Sequence, residues 1–146
     1  MESVTVSGTS RKPTQLTIGS SISDGNGKSY TVTKIGMGAF NNVRNTLTEV
    51  TLPPTLDEIE DSAFFKCSSL TEITIPEGVT KIGTNAFYGC SQFTSITIPS
   101  TIKNMDAAFP SNPKLSQVTL TNGIYRISSS AFKDCTGLTE IKIPTS

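Results

Sequence analysis

Two glutamates and three cysteines are the residues of this chain whose type and spacing invite chemistry. Glu49 and Glu72 lie 23 residues apart, as do Cys67 and Cys90; Cys135 follows. If a 23-residue step is one rung of a parallel sheet, the two carboxylates sit on neighbouring strands ~4.8 Å apart. That approaches the separation of about 5–5.5 Å between acid and nucleophile in a retaining glycosidase. Such a pair needs a pocket that raises one pKa, and a flat strand face offers none, so we read the pair as surface. The cysteines have no base to activate them, because the chain contains no histidine; it also has no tryptophan. This removes Ser-His-Asp and Cys-His catalysis and His-ligated zinc. No Gly-rich phosphate loop is present, and Asp24-Gly25-Asn26-Gly27 is too short for a calcium loop. The expectation is a protein that is not an enzyme and takes no cofactor and no metal.

The elements that must position these residues repeat every 23 residues. Leu47-Thr48-Glu49-Val50-Thr51-Leu52-Pro53 returns as Leu70-Thr71-Glu72-Ile73-Thr74-Ile75-Pro76 and as Phe93-Thr94-Ser95-Ile96-Thr97-Ile98-Pro99. Leu115-Ser116-Gln117-Val118-Thr119-Leu120 and Leu138-Thr139-Glu140-Ile141-Lys142-Ile143-Pro144 follow. A period of about 20–29 residues with this L-x-x-I-x-I spacing predicts a leucine-rich solenoid. We expect a right-handed coil with one short parallel strand and a helical or 3-10 turn per repeat. Positions 4 and 6 alternate with polar residues, so one strand face points inward. Proline at position 7 ends the strand, since it cannot donate to a ladder; Thr121 breaks that column.

A second apolar pair, such as Leu56 and Ile59 or Val79 and Ile82, predicts a short extended segment on the opposite wall. Ala-Phe then recurs at 39–40, 63–64, 86–87, 108–109 and 131–132. One ring per turn fills the interior. Asp61-Ser62, Thr84-Asn85 and Ser129-Ser130 precede it as N-capping residues, which predicts the helical turn. The cysteines share one repeat position and read as buried, reduced thiols. Cys67 and Cys90 come within disulfide reach, but parallel side chains disfavour the bond. The third repeat, 93–114, is one residue short and carries Pro110 and Pro113. We read it as tolerated drift rather than a bulge that shapes a site.

Residues 1–38 are expected to cap the coil, with strands at Val4-Thr5-Val6 and Leu16-Thr17-Ile18 and a hairpin at Asp24–Gly27. Repeats occupy 39–146: a partial one at 39–46, then 47–69, 70–92, 93–114, 115–137 and a partial one at 138–146. The last strand is expected to be an open end of a longer array, or an edge that pairs end to end with a second copy. Charge is balanced, 12 Lys+Arg against 12 Asp+Glu, which argues against a nucleic-acid partner. No apolar run is long enough to cross a bilayer, and no Asn-x-Ser/Thr sequon occurs.

The motif L-[TS]-x-[IV]-[TK]-[IL]-P-x-x-[VIL]-x-x-[IM]-x-x-x-A-F-x-x-C resembles the BspA-like, or Treponema pallidum type, leucine-rich repeats. The likeness runs from about Tyr30 to Ser146, with Thr121 in place of Pro and Asn112 in place of Cys. It implies a surface or secreted protein that attaches to an extracellular protein or glycan. The signal peptide that this location requires is not visible at the start of the chain.

Strand positions 3 and 5 should point outward and form the candidate face: Glu49, Thr51, Glu72, Thr74, Ser95, Thr97, Gln117, Thr119, Glu140 and Lys142. Two readings of it stand side by side, a solvated surface and a mildly acidic, Thr-rich binding surface. The opposite wall carries Asp57, Glu58, Lys81, Lys103, Tyr125 and Arg126, whose mixed signs read as ordinary solvated surface. Two other roles compete with adhesion: a spacer or display domain in a larger surface protein, and an intracellular scaffold.

Overall fold

The computed structural model describes residues 13–144. Val4-Thr5-Val6 lies outside the described residues. The chain winds into a solenoid with two parallel walls. On the strand face lie β1 (Gln15–Thr17), β5 (Glu49–Thr51), β8 (Ser95–Ile98) and β10 (Gln117–Leu120). On the opposite wall lie β4 (Lys34–Ile35), β6 (Glu58–Ile59), β7 (Lys81–Ile82), β9 (Asn104–Met105) and β11 (Arg126–Ile127). A hairpin of β2 (Ser21–Ser23) and β3 (Ser29–Thr31) turns at Asp24–Gly27. There the Asp24 carboxylate accepts the amides of Asn26 and Lys28.

Both walls keep strict register. Gln15 pairs with Glu49 and Thr17 with Thr51, so residues 15–17 form a rung of the strand face. Ser95 pairs with Gln117 and Thr97 with Thr119. Residues 72–75 make only a bridge, Glu49 to Glu72, and Lys142 bridges to Thr119. The second apolar segment of each repeat forms the other wall, where Lys34, Glu58 and Lys81 stand in one row. Register is strict because the side-chain period is two: a slip of one residue would turn Val50, Ile73, Ile96 and Val118 out of the core.

The segment expected to be a helical or 3-10 turn forms isolated turns, with no helix among the described residues. Around Ala63-Phe64, alternate amides take different partners. Those of Ser62, Phe64 and Lys66 donate to the carbonyls of Thr84, Ala86 and Tyr88 in the following turn, at 3.0, 2.8 and 2.7 Å. Those of Ala63, Phe65 and Cys67 close local turns onto Glu60, Ser62 and Phe64. An α-helix needs every backbone amide for its own ladder, so coupling between turns excludes it. Ser62 and Lys66 take φ of 56°, which also breaks a helix. The second of these positions is left-handed in each turn, at Lys66, Gly89, Ser111 and Asp134, and only glycine adopts it without strain. The capping carboxylate works across turns as well: Asp61 Oδ1 accepts the amide of Thr84 at 2.8 Å.

Inside, the phenylalanines stack in one column. Ring centroids are 4.3 Å apart for Phe40–Phe64, 5.0 Å for Phe64–Phe87, 4.9 Å for Phe87–Phe109 and 5.8 Å for Phe109–Phe132. Beside them Cys67, Cys90 and Cys135 are free and buried. Each of the last two thiols donates to a phenylalanine carbonyl of the preceding turn, Cys90 to Phe64 and Cys135 to Phe109. Asn112 stands in the same column and donates its amide to Phe87 at 3.0 Å. The departure from cysteine therefore keeps the bond, although Asn112 Oδ1 is buried without a partner. Thr121, in place of proline, donates its hydroxyl to Ile98 at 2.8 Å. The short third repeat also keeps the ladder between turns: Asn85, Phe87 and Gly89 donate to Ala107, Ala108 and Pro110. The missing residue falls between 107 and 108, and the reading of drift without a bulge agrees with this continuity.

Two outcomes follow for stability. Phe87→Ala removes a ring stacked on both sides and should cost about 3–5 kcal/mol in urea unfolding. Asn112→Leu leaves the Phe87 carbonyl without its donor and should cost about 1–3 kcal/mol. Asn112→Cys restores a donor and should stay close to the parent; equal losses for both substitutions would show that volume, not the bond, decides.

Candidate functional site

The ten residues expected on the strand face, Glu49 to Lys142, are all exposed. Their alternates Val50, Ile73, Ile96 and Val118 are buried beneath them. The outward rows come from the register: Gln15, Glu49 and Glu72 in one row, Thr17 and Thr51 in the next, Thr97 and Thr119 further along. The threonines one position before the strand serve the fold. Thr48 and Thr71 hydroxyls donate to the carbonyls of Thr14 and Thr48, and Ser116 to that of Thr94.

Two hollows open on this face, on either side of the rung at 72–75. One, of about 340 Å³, lies between Glu49, Thr51 and Pro54 on one side and Glu72, Thr74 and Pro76 on the other. The next, of about 450 Å³, continues from Glu72, Thr74 and Pro76 to Ser95, Thr97 and Pro99. Glu49 Oε2 accepts a hydrogen bond from Gln15 Nε2 at 2.9 Å. Both carboxylates of the pair are exposed. Sequence reasoning missed Gln15, Thr17 and the prolines at 54, 76 and 99 as part of this surface. The polar-aliphatic-Thr match of Gln15-Leu16-Thr17 to Glu49-Val50-Thr51 was the signal for the first two.

On the opposite wall Asp57, Lys81, Lys103, Tyr125 and Arg126 are exposed, as the mixed charges predict, and Glu58 alone of the six departs. Glu58 is held between two lysines, with Lys34 Nζ and Lys81 Nζ each 2.6 Å from one of its oxygens. Its side chain is only 13% exposed. Hydrogen bonds from Lys34 and then Lys81 hold the Glu58 carboxyl below the usual carboxylate range, and the same bonds raise both lysines. A third hollow, about 540 Å³, lies beside Tyr125, Arg126 and Ile143, away from the strand-face rows at 49 and 72. Tyr125 is 82% exposed there, and Lys103 Nζ lies 5.9 Å from its ring centroid.

The thiols are poor nucleophiles. Burial pushes Cys67 up to about 12 and raises Cys90 and Cys135. No group of three His, Cys, Asp or Glu among the described residues is placed to hold a metal. No helix among them is long and apolar enough to cross a membrane.

The model of the BspA-type leucine-rich repeat region matches residues 33–146 in six copies. The chain belongs to the BspA-type leucine-rich repeat family. Solved structures carry the same coil. A leucine-rich repeat protein from Bacteroides ovatus is 25% identical, with a TM-score of 0.70 over 90% of this chain and 40% of that one. A leucine-rich cell surface protein from Faecalibacterium prausnitzii is 27% identical, with a TM-score of 0.63 over 90% of this chain and 48% of that one. A leucine-rich repeat protein from Bacteroides capillosus is 32% identical, with a TM-score of 0.66 over 77% and 80%. The chain thus spans less than half the length of the first two. No curated protein matches it.

Glu58 sets a pH dependence. Its folded pKa lies below the unfolded value, so its stabilisation is complete above the unfolded value and is lost as pH falls through the folded one. Glu58→Gln should therefore lower stability at neutral pH and lessen acid destabilisation below about pH 4.3. Urea unfolding of both proteins down the acid range checks this. A difference that does not narrow with falling pH would assign the effect to packing.

Proposed function

We propose that the chain is a non-enzymatic binding module of a cell-surface or secreted protein, attaching to an extracellular protein or glycan through its strand face. The observation that carries this reading is the exposed, in-register row of Glu and Thr with hollows between its rungs. The Thr51, Thr74, Thr97 and Thr119 hydroxyls on that face are exposed. A rigid coil holds them at fixed spacing, so a partner meets a pre-ordered surface and binding orders few groups of the module. The F. prausnitzii relative is a cell surface protein, which supports the location.

A spacer or display role is the second reading. It is favoured by the larger size of two relatives, of which this chain spans 40% and 48%.

A binding screen against extracellular matrix proteins, cell-surface glycoproteins and glycans separates the two, with Thr74→Arg/Thr97→Arg run beside the parent. We expect a hit that the double variant weakens about tenfold or more, as filling the centre of an interface does. A hit that survives unchanged moves the site to another wall, and no hit from folded protein favours the spacer.

A further inference from the structure

The balanced charge of the chain is segregated along the coil. Residues 47–92 carry seven Asp and Glu against two Lys, while residues 1–46 and 93–146 each carry an excess of Lys and Arg. The two lysines of the acidic stretch face other groups. Lys81 is engaged by Glu58, and Lys66 Nζ lies 5.4 Å from the Phe65 ring centroid. Neither belongs to the strand face.

The two strand-face hollows share Glu72, Ile73, Thr74 and Pro76, so they form one trough across three consecutive turns. At ~4.8 Å per turn the trough spans about 10 Å, the length of about three extended residues. Glu49, Glu72 and Glu77 line it, and no Lys or Arg does. Both ion pairs among the described residues belong to Glu58 on the other wall. Glu49 and Glu72 therefore stand in register, alike in charge and without a cation. Repulsion between stacked like charges costs the free protein, and a bound cation relieves it. Exposed Pro54 and half-buried Pro76 add apolar surface beside the carboxylates.

We propose that this trough docks an extended, lysine- or arginine-rich segment of a partner protein. The ammonium or guanidinium groups meet Glu49 and Glu72, and the aliphatic stems lie along Pro54 and Pro76. The inference rests on the strand-face reading above and names its partner class. Sulfated or otherwise anionic glycans are excluded by the same charge. Because the carboxylates are exposed, the pairing acts mainly on association rate and specificity, and it weakens with salt.

Fluorescence anisotropy tests this with a labelled peptide alternating Lys and Val, beside Glu-Val and Ser-Val peptides of equal length. The Lys-Val peptide should bind, weaken as salt rises, and lose about tenfold in affinity, or 1.4 kcal/mol, with Glu49→Gln/Glu72→Gln. Asp134→Asn removes one carboxylate away from the trough and should leave binding unchanged. Thermal melts confirm that both variants stay folded. Equal binding of the Ser-Val peptide, no binding of the Lys-Val peptide, or an unchanged affinity in the double variant would overturn the proposal. If a glycan or neutral protein from the screen is lost with Thr74→Arg/Thr97→Arg but kept with Glu49→Gln/Glu72→Gln, the strand-face reading stands and the basic-segment inference falls.

Discussion

The hydrogen bond from one turn of the coil to the next is the interaction on which the rest depends. It fixes the rise at ~4.8 Å per turn, and everything recurring once per turn must then stack at that distance. The phenylalanine centroids, 4.3 to 5.8 Å apart, follow that spacing. So do the Thr48 and Thr71 hydroxyls, which reach carbonyls of the preceding rung. Even the segments expected to be helical yield to it, giving alternate amides to the following turn. Backbone donors are too costly to bury unpaired, and in a coil this narrow the adjacent turn is where they find acceptors.

The same rise decides what the surface can be. A row of identical charges at that spacing repels itself unless something intervenes. On one wall the sequence alternates, and Glu58 lies between Lys34 and Lys81 with its carboxylate largely covered. On the other it repeats, and Glu49 faces Glu72 with only Gln15 to assist. One row is paired within the molecule; in the other, Glu49 and Glu72 have no ion-pair partner among the described residues. Identical backbone geometry thus gives one wall with an ion-paired row and one with a row of like charges, and the side chains at one position per turn decide which.

Tolerance of the repeat to change has the same origin. At the cysteine position the fold takes a small buried group, Val43 and Cys67 included, and Asn112 donates to the phenylalanine carbonyl of the preceding turn as Cys90 and Cys135 do. At the proline position Thr121 is accommodated by donating both its amide and its hydroxyl to the carbonyl of Ile98. Pro110 replaces a residue whose carbonyl alone is used between turns, accepting from Gly89.

By itself the sequence determined the period, the inward and outward residues of each strand, the aromatic column and the family, because each is a property of spacing along the chain. It also showed the absence of histidine, and with it the removal of the commonest catalytic base. It misread the segment around Ala63-Phe64 as helical, since Asp61 and Ser62 look like caps for their own turn while Asp61 serves Thr84. It likewise read Glu58 as solvated, since neither Lys34 nor Lys81 is near it in the chain. Only the tertiary structure decided which turn receives each donor, which charges are paired and where the strand face opens into hollows. Those outcomes depend on contacts between residues some 23 positions apart, which exist only after the coil has closed.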